Sequence, residues 1–396
     1  MNILVIHNYY KIRGGEDIVF ENEVNALKEN YSVNVVSFCV SNKETDGGFL
    51  KKIAYLFRII SGNSRLRNEI LKIIKDNSID IVHIHNVFPL ITPFIYRSLK
   101  KHTTVKIVQT IHNFRFVCPS GLLFHNGKIC CACLKKKNFK ECVLSGCYRE
   151  SKLFSALYSF LIKKNCKSLR NDIDCYLALN DFAASILAEA GFSRDKIKVR
   201  GNSLPDVKNN VRNEGEYYLF IGRISPEKGL ENAIKAFVKL PECEFVIAGT
   251  GESEVILKEK YAAYKNIKFV GFADESVKEK LFLNAKAVIV PSIWYENFPM
   301  VIVEAFRCGI PVISNAWGAI NGIVTDNVNG LLLGKEDDTD KKRAENIAKS
   351  VRLFESDKSL RKRLGDNARQ TFLEKMESGK SIADLVNIYE ELKNGS

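Results

Sequence analysis

Short, nearly continuous runs of aliphatic residues recur along the chain at 3–7 (ILVIH), 33–38 (VNVVSF), 79–85 (IDIVHIH), 105–111 (VKIVQTI), 175–180 (CYLALN) and 196–201 (KIKVRG). A second series follows at 217–222 (YYLFIG), 244–249 (EFVIAG), 267–271 (IKFVG), 287–291 (AVIVP), 311–314 (PVIS) and 331–333 (LLL). Segments with helical character, such as 230–239, 276–284 and 299–307, separate them. Apolar strands that do not alternate with polar positions are buried on both faces, which predicts parallel sheets with helices on either side. The polar stretch SLPDVKNNVRNEGE at 203–216 divides the two series and reads as a linker. The fold class is therefore α/β, with two doubly wound, Rossmann-like domains. The first is expected over 1–202, with a cysteine-rich insertion at 118–147, and the second over 217–374. In such sheets ligands bind outside the carboxyl ends of the strands, so a ligand is expected in the cleft between the domains.

A length of 396 residues suits two or three domains, and a hydrophobic content of 46% is ample for their cores. No apolar run approaches the roughly 18 residues of a membrane span. The opening MNILVIHNYY has no basic region and reads as a first strand, so an intracellular protein is expected. Residues 1–200 hold 31 Lys and Arg against 17 Asp and Glu, whereas the remainder holds 28 against 29. The whole of the net charge of +13 thus belongs to the first half, which argues for an anionic partner there.

Candidate chemistry concentrates in the second half. In PSIWYENFPMVIVEAFRCG (291–309), Glu296 follows a strand and Glu304 falls in the second turn of the helix that Pro299 opens. The first-turn amides of that helix form an anion-binding end. In YYLFIGRISPEKGL, Gly222 and Arg223 leave another strand and Lys228 precedes a helix. Arg and Lys beside a helix mouth suit a diphosphate, and flanking carboxylates suit hydroxyl groups. In the first half, Gly14 and Gly15 open a helix and permit close approach of a ligand, without a G-x-G-x-x-G pattern. His112 ends a strand at the same edge; His83, His85 and Asn86 also lie there and read as structural.

GRISPEKG followed by ENFPMVIVEA resembles the retaining glycosyltransferases of family 4, which have the two-domain GT-B fold, and the resemblance covers nearly the whole chain. It implies that Arg223 and Lys228 hold the donor diphosphate, that Glu296 contacts the transferred sugar and that Glu304 grips the ribose. His112 is placed facing the donor sugar, and Gly14, Gly15, Gly222, Asn297, Phe298, Met300 and Val301 complete the donor site. Many members have Gly where this chain has Pro299, which has no N–H to offer, so amide contacts fall to Phe298, Met300 and Val301. Same-face attack is implied, with the leaving phosphate oxygen taking the acceptor's proton. The last segment, 375–396, is expected to form a helix crossing back onto the first domain.

Two Asp-x-Asp tripeptides, 172–174 and 338–340, are placed unsuitably for a metal-held diphosphate, so no catalytic cofactor is expected. Six cysteines fall within 118–147, and Cys118, Cys130 and Cys133, with Cys142 or Cys147 as the fourth, are candidate ligands of a structural zinc. HNFR, CPSG and CYRES resemble a segment found in a subset of bacterial polysaccharide transferases. Segments 49–60 and 152–170 read as basic amphipathic helices suited to an anionic membrane surface. The partners expected are a nucleotide diphosphate sugar and a lipid-linked saccharide acceptor, at the inner face of the cell membrane and with no nucleic acid. Rivals are a nucleotide-sugar epimerase of the same fold, which needs no acceptor, and a non-catalytic protein binding nucleic acid or an anionic surface.

Overall fold

The computed structural model describes residues 1–11, 13–30, 33–45, 49–207 and 214–395. It divides into one unit comprising 1–123, 131–203 and 378–396, and a second comprising 124–130 and 204–377. Twelve strands form two six-stranded parallel sheets, at the twelve apolar runs of the sequence. The first sheet contains β1 (Asn2–Tyr9), β2 (Asn34–Ser41), β3 (Ile81–Ile84), β4 (Lys106–Ile111), β7 (Cys175–Ala178) and β8 (Ile197–Val199), in the order β2-β1-β3-β4-β7-β8. A small antiparallel hairpin, β5 (Phe124–His125) and β6 (Lys128–Ile129), intervenes in the cysteine-rich segment and was not expected from the sequence. The second sheet contains β9 (Tyr217–Ile221), β10 (Phe245–Ala248), β11 (Ile267–Gly271), β12 (Ala285–Val290), β13 (Val312–Asn315) and β14 (Gly330–Leu333). Its order is β11-β10-β9-β12-β13-β14, so the winding reverses between β9 and β12.

Burial explains the continuous apolar runs. Residues 3–6 of β1 are fully buried, as are 285, 287 and 288 of β12, because helices cover both faces of each sheet. The helix Ser378–Asn394 belongs to the first unit, where Ile382, Leu385 and Tyr389 join Val5, Phe20, Leu27 and Val108 in one core cluster. The boundary lies at 377/378, not at 375 as expected. The preceding helix runs to Lys375, Met376 N–H closes it on Phe372, and Glu377 bridges to Leu204 inside the second unit. Of the expected linker, 208–213 lie outside the described residues, as do the side chains of Lys51 and Lys52 in the expected basic helix.

Candidate active site

Two loops of the second unit leave adjacent strands at the reversal point and bring four charged groups together. After β9 the chain passes Gly222 and Arg223, makes a short turn over Pro226–Lys228, and enters the helix Leu230–Phe237. After β12 it passes Pro291–Pro299 and enters the helix Met300–Arg307. The loops lock together at the backbone: Ile293 N–H donates to the Glu227 carbonyl at 2.9 Å. A Cβ at Gly229, where φ is +64°, would lie 2.2 Å from the Pro291 carbonyl oxygen, so only glycine fits.

Lys228 Nζ donates to Glu296 Oε1 at 2.7 Å, and Ser292 Oγ donates to the same oxygen at 2.7 Å. Burial raises the Glu296 carboxyl, but the Lys228 charge together with the side-chain donors of Lys228, Ser292 and Trp294 outweighs that and holds it below the ordinary carboxylate range. Lys228 Nζ also sits 5.4 Å from the centre of the Trp294 ring. Arg223 pairs with Glu227, yet its side chain stays 61% exposed and so is open to a ligand. Glu304 pairs with Lys278; burial nevertheless pushes its carboxyl up. Pro299 caps its helix in an extended conformation and its carbonyl accepts from Ile302 N–H at 3.0 Å. The first-turn amides of Met300 and Val301 precede any intrahelical acceptor. Glu296 and Asn297 are buried, while Phe298, Met300 and Val301 pack partly into the core below.

Sequence reasoning missed Glu227, Ser292, Trp294 and Lys278, whose roles depend on contacts between separate loops. It also passed over Gly249 in the loop after β10, where φ is +135° and a Cβ would lie 1.9 Å from the Gly222 carbonyl oxygen. That close approach fixes the path of the Gly222–Arg223 segment.

In the first unit, Gly14 precedes the helix Gly15–Asn30, and a Cβ there would meet nothing within 4 Å. Gly14 N–H donates to Asp17 Oδ2 at 2.9 Å, and Asp17 Oδ1 meets His7 Nε2 at 2.7 Å in the core. His112 lines a cavity with His85, Asn86, Gln109, Asn113 and Arg115. Its Nε2 lies 2.9 Å from His85 Nδ1, and burial holds its ring well below the ordinary histidine range. His83 and His85 are buried and engaged with Tyr389, Thr110 and Glu23.

The cysteines require a correction. Among the described residues, Cys118, Cys130, Cys133 and Cys147 do not gather into one ligand set; Glu23, His83 and His85 are instead the group close enough to share an ion. The short helices Ala132–Lys136 and Lys140–Ser145 turn Cys133 and Cys142 inward, and Cys142 hydrogen-bonds both Cys133 and Cys147. Cys118 Sγ lies 3.2 Å from Ser120 Oγ. Asp174, from the first Asp-x-Asp tripeptide, accepts from Lys100 Nζ and Ile107 N–H, each at 2.8 Å, which is a structural role.

Two doubly wound units, with paired cations and carboxylates at the reversal point of the second, are the features to set beside known proteins. The description Glycosyl transferases group 1 matches residues 205–371, and Glycosyltransferase Family 4 matches residues 13–204. Among relatives, the uncharacterized 41.2 kDa protein in the cps region of Klebsiella pneumoniae is 26% identical over 356 residues, covering 84% of this chain and 86% of the relative. The uncharacterized glycosyltransferase MJ1607 of Methanocaldococcus jannaschii is 25% identical, covering 78% and 75%. The fold is shared with Anabaena HepE in complex with UDP-glucose (TM-score 0.66, 15% identity, 98% and 99% covered). It is also shared with sucrose-phosphate synthase of Thermosynechococcus elongatus (TM-score 0.72, 16% identity, 100% of each). The chain belongs to glycosyltransferase family 4, with the GT-B fold, and is a glycosyltransferase.

Proposed function

We propose that the protein transfers a hexose-type sugar, with retention, from a nucleotide diphosphate sugar to a lipid-linked saccharide in the assembly of a surface polysaccharide, without a catalytic metal. The observation that carries the donor assignment is the Lys228–Glu296 pair, at 2.7 Å, beside the exposed Arg223 and the amides that open Met300–Arg307. Arg223 and Lys228 neutralise charge developing on the departing diphosphate, as fixed dipoles and cations do best in a preorganised site. Glu296 holds hydroxyls of the transferred sugar and Glu304 the ribose. The leaving phosphate oxygen takes the acceptor's proton, so no protein nucleophile takes part. Two relatives in cps regions support a polysaccharide product, and the UDP complexes of HepE make UDP the first nucleotide to try.

Support for an anionic membrane surface comes from the helix Lys152–Asn171. Tyr158, Leu161, Ile162 and Leu169 are buried in the core, whereas Leu153 (72%), Phe154 (40%) and Phe160 (45%) are exposed beside Lys152, Lys163, Lys164 and Lys167. Exposed aromatic and basic groups on one helix suit a lipid interface. No helix among the described residues is long and apolar enough to cross a membrane. The direct test is thermal stabilisation by UDP, GDP, ADP and CMP in EDTA. A diphosphate at about 100 times its dissociation constant adds about 2.7 kcal/mol. No shift with any of them, or one that requires a divalent cation, would overturn the donor assignment.

A further inference from the structure

A buried polar chain runs through the first unit and ends on His112. Arg200 Nε donates to the Ser381 carbonyl at 2.9 Å, and its Nη1 donates to Glu23 Oε2 at 2.5 Å. Glu23 Oε1 lies 3.1 Å from His85 Nε2, and His85 Nδ1 lies 2.9 Å from His112 Nε2. The His85 and His112 rings stack with their centres 5.1 Å apart. His112 Nδ1 makes no hydrogen bond among the described residues, and the ring lines the cavity bounded by Asn86, Gln109, Asn113 and Arg115.

The proton positions follow from the roles each group can play. Arg200 can only donate, and it holds Glu23 as a carboxylate, well below the ordinary range even though burial opposes this. A carboxylate only accepts, so His85 must carry its hydrogen on Nε2. Arg200 already pairs with Glu23, and a His85 ring with its single hydrogen on Nε2, aimed at Glu23, presents Nδ1 as a bare acceptor. His112 must then donate from Nε2. Burial keeps His112 neutral, which leaves its second nitrogen without a proton. We propose that Glu23 and His85 are positioning residues that lock His112 in its Nε2–H tautomer, so that bare Nδ1 accepts a hydrogen bond from a substrate hydroxyl. The inference deepens the sugar-transfer reading and rests on it for the identity of the hydroxyl. Glu23, His83 and His85 are also near enough to share a cation. However, the His83 nitrogens already meet Tyr389 Oη at 2.6 Å and Thr110 Oγ1 at 2.7 Å, and His85 Nδ1 meets His112. Hydrogen bonds thus already engage both nitrogens of His83 and both of His85.

The test is two-bond proton–nitrogen NMR of the full chain labelled with [15N]histidine, between pH 6.5 and 8 in EDTA. His112 is assigned by the signals lost in His112→Gln. The expected spectrum has a protonated Nε2 and a bare Nδ1 on His112, unchanged across this range. His85→Ala should scramble the tautomer and lower kcat/KM for transfer by about 10–100-fold, the usual effect of removing a group that orients a functional histidine. His85→Gln, whose side-chain carbonyl can accept the same proton, should recover most of both. A wild-type His112 protonated at Nδ1 or at both nitrogens would overturn the proposal, as would a His85→Ala tautomer identical to the parent. So would histidine signals that move on adding zinc without EDTA. The expected tautomer in a protein with no transferase activity would uphold the relay and refute the sugar-transfer reading.

Discussion

Replacing Lys228 with Met removes a charge from a carboxylate that has almost no water to turn to. The Glu296 side chain is 6% exposed, and its Oε1 holds Lys228 Nζ and Ser292 Oγ, each at 2.7 Å. Removing one partner of a buried ion pair costs about 3–5 kcal/mol. Lys228 is itself 23% exposed, so part of the pair is screened and a loss of about 3 kcal/mol is expected at pH 7. The loss should depend on pH. In the parent, the depressed Glu296 contributes stability above the unfolded carboxyl value, near 4.3, and loses it as pH falls through the lower folded value. In Lys228→Met the hydrogen bond from Ser292 remains but the opposing charge is gone, so burial, the largest influence, raises the carboxyl and stability falls as pH rises past about 4.3. The two proteins should therefore be nearly matched near pH 4 and diverge toward pH 7. Urea unfolding at pH 4, 5.5 and 7 measures the difference. Lys228→Met with Glu296→Gln removes both charges and should recover all but about 1 kcal/mol. Stabilisation by a nucleoside diphosphate should be weakened equally in the single and double variants. A single variant as stable as the parent at pH 7, a pH-independent loss, or a double variant that binds diphosphate normally would refute this account.

Other consequences can be checked separately. Glu304→Ala should weaken nucleotide binding about 10-fold, roughly one lost hydrogen bond to a charged group, while transfer at saturating donor is preserved; calorimetric titration with the nucleotide tests the ribose assignment. Burial raises the Glu16 carboxyl to about 7 despite Arg115, with Tyr10 Oη donating to it at 3.0 Å. A raised carboxyl contributes stability below the unfolded value and loses it as pH climbs through the folded one, so unfolding free energy should fall by up to about 3 kcal/mol between pH 4.5 and 8. Glu16→Gln should flatten that slope in denaturant melts. Leu153→Ser with Phe154→Ser should reduce sedimentation with vesicles containing phosphatidylglycerol and leave binding to soluble diphosphate intact; unchanged sedimentation would remove this helix from the membrane reading.

Much of this architecture is legible in the chain because parallel strands buried on both faces need unbroken apolar runs, and all twelve runs became strands. The helix at Met300–Arg307 could be placed to the residue because Pro299 and Gly309 punctuate it. The strand order, and with it the meeting of the β9 and β12 loops, is not written in any local pattern. Lys278 illustrates the limit: it stands 26 residues from Glu304 on a helix with no distinguishing motif, yet it is the cation that meets that carboxylate. The cysteines failed for the opposite reason. Their spacing suggested a metal site, but two short helices decide which thiols turn inward, and Cys142 ends up between Cys133 and Cys147.

The first unit closes on itself through Tyr389, whose hydroxyl lies 2.6 Å from His83 Nδ1, while nearly all of the second unit is the single stretch 204–377. During synthesis, then, the unit begun first is finished last. The second unit can fold as it leaves the ribosome. The first must wait, with its sheet assembled and the face meant for Ser378–Asn394 still bare, until the final helix arrives. A stalled or nicked chain lacking that helix would carry a folded second unit and an exposed apolar surface on the first.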